Sequence, residues 1–354
     1  MPAWRHVPES ASPPRRPSPP FPSWARSFAS QNSEGRPRQG AGEGRIDARR
    51  RSEERGFADK NGAAGQAASG EDVAEAAFRA GAALAALHPI ARAEHPLGAL
   101  WRQRLALACA AVLARQGGRT EDEAALRDAW YLRRDGDDPG PAGRILKAWR
   151  RLGEPGAMQT DDWTLRLPVL LELRRDDVFE DVVAIAAGLA KGQGSAVAAA
   201  AEIAAVTLRL RPDAEALALW LADAVLAHRL NWPAPVPMIA GEMRRSDLSR
   251  ATQRQGDGGW LAACSLAYSR AAAVAADRYA ELARRAERLL AVAPQLRGKD
   301  ADLMIAILIG EDAQAARTGK TVTDRSSRRL FDRLVALGAV RELTGRPTFR
   351  LYGL

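Results

Sequence analysis

RRLFDRLVALGAVRELTGRPTFRLYGL, Arg328 to Leu354, is the stretch on which the reading of this chain turns. Leu330, Phe331, Leu334 and Leu337 recur at the spacing of a helix face that packs on a core. Arg325, Arg328, Arg329 and Asp332 fall at i, i+3, i+4 and i+7 and so share the opposite face. Gly338 sits where a left-handed C-terminal cap belongs. Val340 to Leu343 and Thr348 to Tyr352 both favour strand, and Thr344-Gly345-Arg346-Pro347 reads as the turn between them.

Working upstream, Asp302 to Ile309 is a compact apolar helix, and a short second helix is expected over about Glu311 to Arg317. Gly319-Lys320 makes a turn, after which Thr321 or Thr323 caps the third helix. Three helices and then a two-stranded wing is the order of a winged helix-turn-helix. Arginines near the start of such a third helix suit phosphate oxygens and guanine edges in a major groove. The candidate DNA-binding residues are therefore Arg325, Ser326, Arg328, Arg329 and Arg333 on the helix, with Arg346 at the wing tip. Double-stranded DNA is the expected partner. A winged helix that binds protein would show the same solvated basic face, and Asp332 lies on the stripe.

Charge placement agrees with a local polyanion contact. Residues 1–70 carry 12 Lys or Arg against 7 Asp or Glu, and residues 320–354 carry 8 against 3. The total of +9 leaves the middle of the chain close to neutral. Residues 1–68 are rich in Pro, Gly, Ser and Arg without periodicity and read as a disordered basic tail. Two readings compete for it: a basic arm using Arg15, Arg16 and Arg49-Arg50-Arg51, or an extension without function.

Residues 69–297 read as an all-helical domain ahead of the winged helix at 298–354, giving a mainly α fold. Ser69 is the expected cap of a first helix that His88-Pro89 ends. A second spans Leu97 to Gln116, and Thr120-Glu121-Asp122-Glu123 opens a third as a capping box. Pro141 opens a fourth, which runs to Leu152. Further helices are expected at 161–173, 177–191, 195–211, 213–230 and 259–293, with Pro168 kinking the first of these. In the last, Ala275, Tyr279, Leu282, Ala286 and Leu289 alternate by four and three, a short seam that serves either packing in the body or a homodimer. The body is equally suited to recruiting a protein partner.

Candidate chemistry is sparse. Glu121, Asp122, Glu123 and Asp128 are better explained by a helix's first turn than by a metal shell. Asp135, Asp137 and Asp138 lack the acidic ligand of a calcium loop, since Leu146 stands there. His88 and His95 each precede a proline and read as helix boundaries. Cys109 and Cys264 have no partner spacing for zinc or a disulfide framework. No metal, no cofactor and no catalytic residue is expected. Trp130, Trp149, Trp163, Trp220 and Trp260 read as core or helix-contact residues. No apolar run reaches the ~18 residues of a membrane span, and a cytoplasmic location is expected.

Two blocks carry a resemblance: RTEDEAALRDAWYLRRDGDDPGPAGRILKAWRRL, Arg119 to Leu152, and the stretch from Arg328 to Leu354. Over about residues 70–354 the chain resembles an uncharacterised bacterial family, domain of unknown function 1403. That resemblance implies domain limits and no activity. The C-terminal block is also similar to winged helices that end Fic-type proteins. The Fic enzyme loop itself is absent: His95-Pro96-Leu97-Gly98 begins like it, but Ala99, Leu100 and Trp101 do not continue it. The expected function is a DNA-binding regulatory or plasmid-maintenance protein. A non-catalytic interaction module stands second, and an enzyme with a site around Arg119 to Asp138 third.

The tail lacks the apolar density needed to offset the entropy of ordering it. A chain beginning at Gly65 is expected to keep its helical circular dichroism and its melting temperature. A fall of more than ~5 °C, on the order of 1 kcal/mol, would show that the tail packs.

Overall fold

The computed structural model describes residues 70–134, 136–157, 162–252, 258–296, 301–316, 324–344 and 349–354, with backbone alone for Asp162 and Asp324 to Ser326. The tail at 1–68 and Ser69 lie outside the described residues.

The helical body is built from α1 (Gly70–Arg92), α2 (Gly98–Gln116), α3 (Glu123–Tyr131), α4 (Gly140–Leu152), α5 (Asp162–Leu170), α6 (Asp177–Lys191), α7 (Ala196–Leu210) and α8 (Glu215–Arg229). Two single-turn helices follow, α9 (Ile239–Glu242) and α10 (Arg245–Leu248), and then the 34-residue α11 (Gly259–Val292). The C-terminal segment holds α12 (Ala301–Gly310), β1 (Gln314–Ala315), α13 (Asp324–Ala336), β2 (Arg341–Glu342) and β3 (Leu351–Gly353).

Side-chain capping sets several boundaries. Asp122, Asp176 and Ser195 each accept from the amide three residues on, at 2.8, 3.1 and 3.2 Å, and so start α3, α6 and α7. The cap of α3 is thus Asp122, and Thr120 does not fill that role. The first helix also differs from expectation, because α1 runs through Pro89 to Arg92. Proline deletes one amide donor, but the last turn still closes, with the Ala93 amide donating to the Pro89 carbonyl at 3.2 Å. Pro168 likewise lies inside α5.

The core is assembled by packing α11 along α1, α7 against α8, and α2 against α4. Helices α2 and α8 are buried on nearly every side, which their Ala- and Leu-rich sequences permit. Indoles staple neighbours together, since a buried N–H must find an acceptor. Trp101 donates to the Ala275 carbonyl at 2.8 Å, Trp220 to that of Ala148 at 3.0 Å and Trp260 to that of Ala201 at 2.8 Å. Ala275, Leu282, Ala286 and Leu289, the seam of α11, are buried within the chain.

In the C-terminal segment the expected second helix over Glu311 to Arg317 is not formed. Gln314–Ala315 is instead a strand, paired antiparallel with β3 through Gln314 opposite Tyr352 and Ala315 opposite Leu351. β2 pairs with the other edge of β3, so the sheet order is β1-β3-β2. Arg317 to Thr323, including Gly319-Lys320 and both candidate caps, and the turn residues Gly345 to Pro347 lie outside the described residues. Gly338 takes a φ of 65° beyond α13, a conformation that favours glycine.

One buried carboxyl group ties down the loop that precedes α9. The Asp223 carboxylate of α8 accepts from the Met238 amide at 2.7 Å and the Ile239 amide at 3.2 Å. Burial pushes its pKa up to about 7, against the opposing pull of those amides and of the Tyr268 hydroxyl. The folded protein therefore holds a proton that the unfolded chain releases near pH 4. The group costs nothing in acid, and its penalty grows as the pH rises from about 4 towards 7. Asp223→Asn removes that titration. The melting temperature of the wild type relative to the variant is expected to fall between about pH 4 and pH 7, and a difference independent of pH would contradict the assignment.

Candidate nucleic-acid interface

Helix α13 separates its residues by side. Ser327, Phe331 and Leu334 are buried, while Arg328, Arg329, Asp332 and Arg333 are exposed. Phe331 stacks on Tyr352 of β3, with ring centroids 4.4 Å apart and planes 14° from parallel. That stacking fixes the rotation of the helix: with Phe331 inward, the period of 3.6 residues puts Arg329 and Arg333 about 160° round on the far side and Arg328 about 60° round, on the flank. The helix also carries Arg325 and Ser326 on its backbone, but their side chains and the whole of Arg346 lie outside the described residues. Three of the six candidate positions are therefore placed, and all three are exposed.

The platform beneath α13 is held by charges that the sequence pattern did not single out. Asp312, between α12 and β1, is 2% exposed and lies between two guanidinium groups. Arg127 of α3 donates to it from Nε at 2.8 Å, and Arg104 of α2 forms an ion pair with its other oxygen. Arg104 also donates to the carbonyls of Asp312 and Leu354, both at 3.0 Å. Gln103 brackets the same turn, accepting from the Asp312 amide at 2.9 Å and donating to the Gly310 carbonyl at 3.3 Å. Beside it, Glu311 meets Tyr131 and Arg150, each at 3.3 Å. Arg150 in turn lies over the Trp130 ring, 4.8 Å from its centroid.

At Arg104, burial and like charges outweigh the attraction of Asp312. Burial is the largest influence on Arg104 and draws its pKa down; Asp312 pulls it back up, and Arg127, Arg278 and Arg285 oppose that. Close approach is built in as well. A Cβ on Gly353 of β3 would come within 2.6 Å of the Asp312 carbonyl, so no larger residue fits without a shift.

The acidic region considered for an enzyme site is distributed among separate partners. Glu123 lies 3.6 Å from Arg278, whereas Arg144 bridges Asp138 and Glu172. Arg144 holds the Asp138 carboxyl below its usual range. Among the described residues no three His, Cys, Asp or Glu side chains converge, and no helix is long and apolar enough to cross a membrane.

Both sequence blocks that carry the resemblance reach this cluster, one through Arg127, Tyr131 and Arg150, the other through Leu354. A family model described as "Protein of unknown function (DUF1403)" matches residues 57–354. The chain belongs to the DUF1403 family. No curated protein matches it. In this DUF1403 protein the signal missed in the sequence was Arg104 itself, a charge set beside the apolar run LALACAAVL, where an unpaired guanidinium would be costly.

Removing one member of a buried charge cluster strands the others. Asp312→Ala is expected to destabilise the DUF1403 protein by about 3–5 kcal/mol in urea unfolding. Added salt should not restore it, since screening barely reaches buried charges. A loss below ~1 kcal/mol, the scale of an exposed pair, would show that the cluster contributes little.

Proposed function

We propose that residues 298–354 form a winged helix that binds double-stranded DNA through the outer face of α13, making this a DNA-binding regulatory or plasmid-maintenance protein. The observation that carries the reading is the exposed surface of α13, where Arg329 and Arg333 lie opposite the buried Phe331 and Arg328 is exposed on the flank. The sheet order supports it, because β1 joins the β2–β3 hairpin to the segment ahead of the helix. Such a sheet steadies a wing beside the recognition helix.

Charge distribution supports it too. Residues 320–354 carry 8 basic and 3 acidic side chains. Guanidinium groups recognise phosphate pairs and guanine edges through paired donors, which an ammonium does not match. Arg346, which the sequence pattern puts at the wing tip and which lies outside the described residues, is proposed to bind the backbone or the minor groove. Phe349, three residues on in sequence, is 63% exposed.

The test is fluorescence anisotropy of labelled duplexes with the full chain, over a series of salt concentrations. Arg328→Ala, Arg329→Ala and Arg333→Ala together should leave the fold intact, since exposed substitutions seldom cost more than ~0.5 kcal/mol each. Affinity should fall steeply, and the slope of log K against log salt should flatten by roughly one unit for each phosphate no longer neutralised. A folded triple variant with unchanged affinity and slope would sink the proposal. A wild-type chain that binds neither random nor genomic duplexes would sink it as well and leave the protein-binding module.

A further inference from the structure

Away from the C-terminal segment, a cavity of about 570 Å³ opens between α1, the first turn of α7 and the start of α11. Its size falls within the range of small-molecule sites. Gly81 and Leu84 of α1, Val197 of α7, Leu230 after α8 and Leu261 of α11 supply a mostly apolar wall.

The polar groups in that wall are few and nearly all of one kind. Ser195 to Ala198 bring in the N-terminal turn of the 15-residue α7. Ser195 caps the Ala198 amide, while the amides of Ala196 and Val197 fall where a helix provides no acceptor. His88 receives the Trp232 indole proton at Nδ1, at 3.0 Å. A neutral His88 then carries its own proton on Nε2, as a donor. Ser265 of α11 is 0% exposed, and its hydroxyl has no hydrogen-bond partner among the described residues. Buried hydroxyl groups are usually satisfied. Amides, an imidazole N–H and a hydroxyl thus offer donors, and the dipole of α7 adds positive potential at the same turn. The Arg229 guanidinium lies near that turn and adds to it: a Cβ on Gly194 would be 3.9 Å from its Nη2.

We infer that this cavity binds an apolar monocarboxylate, its hydrocarbon against α1 and α11 and its carboxylate at the first turn of α7 beside His88 and Ser265. Among the described residues no acidic side chain lines the site to repel it. The inference is independent of DNA binding, since it rests on different elements and different chemistry.

The probe is decanoate, titrated into the full chain by isothermal calorimetry below its micellar concentration, with decanol as the uncharged match. Decanoate should bind one per chain, and decanol at least tenfold more weakly. Gly81 lines the cavity and a Cβ there would meet no atom within 4 Å, so Gly81→Leu starts from open space and adds bulk at the wall. That variant should keep its melting temperature and lose decanoate binding at least tenfold. Ser265→Ala should weaken decanoate more than decanol. Absence of decanoate binding, equal affinity for decanol, or a folded Gly81→Leu chain that binds decanoate unchanged would each overturn the assignment.

Discussion

A carboxylate held between two guanidinium groups, with almost no water around it, is the constraint from which the arrangement of this protein follows. Each charge alone would be expelled from such a site, because desolvating an ion costs several kcal/mol even after relaxation. Asp312 is tolerable there only with Arg104 and Arg127 in place, and each of them only with Asp312. The remaining guanidinium N–H groups of Arg104 need acceptors too, and the carbonyls of Asp312 and Leu354 supply them. Helices from the first half of the body and strands from the last residues are therefore bound to a single point. Hydrophobic packing alone would let these elements slide; an ion cluster with this many directed bonds fixes their register.

From that point the placement of α13 follows in two steps. Gly353 lets β3 pass close over the Asp312 carbonyl, and β1 begins two residues after Asp312, so the sheet is hung on the cluster through β1 and the end of β3. Tyr352 then offers its ring to Phe331. The arginines of α13 are thus aimed by a chain of interactions that starts in α2 and α3 and includes no arginine of α13 itself. If α13 binds a polyanion as proposed, a basic face with this support would resist reorientation and so lower the cost of binding in the way preorganisation does.

What the sequence made legible, and what it hid, divides along local against distant causes. α6, α7 and α8 were readable within a few residues because Gly192, Gly194 and Pro212 punctuate them and Asp176 and Ser195 cap them, all local effects. The rotation of α13 was readable from period alone. Pro89 misled because a proline near a helix end removes one donor without stopping the turn. β1 was hidden because two residues, Gln314 and Ala315, have no period and become a strand only when β3 offers its edge. Asp312 was hidden for the same reason at longer range: its partners lie 185 and 208 residues away, and nothing in Gly310-Glu311-Asp312 announces a buried ion. Trp220 and Trp260 were expected in the core or at helix contacts, but the carbonyls that receive their indoles belong to helices far along the chain.

α11 borders both of the features to which function is assigned. Its first turns carry Leu261 and Ser265 in the cavity wall, and further on Arg278 donates to the Arg104 carbonyl at 2.9 Å. A 34-residue helix is about 50 Å long and stiff over that length, so a displacement at one end arrives at the other. Continuity of this kind is a route, not yet a coupling: an effector shifts a helix only by as much as it distinguishes two positions of that helix. The face of α11 built from Ala267, Ala271, Ala272 and Ala275 is buried with small side chains, which form shallow ridges. Shallow ridges resist sliding less than deep ones, whereas the Arg278 end is bonded to the ion cluster. The cavity end is bonded as well, through the Trp260 indole on the Ala201 carbonyl, so this helix shifts only if both attachments yield together.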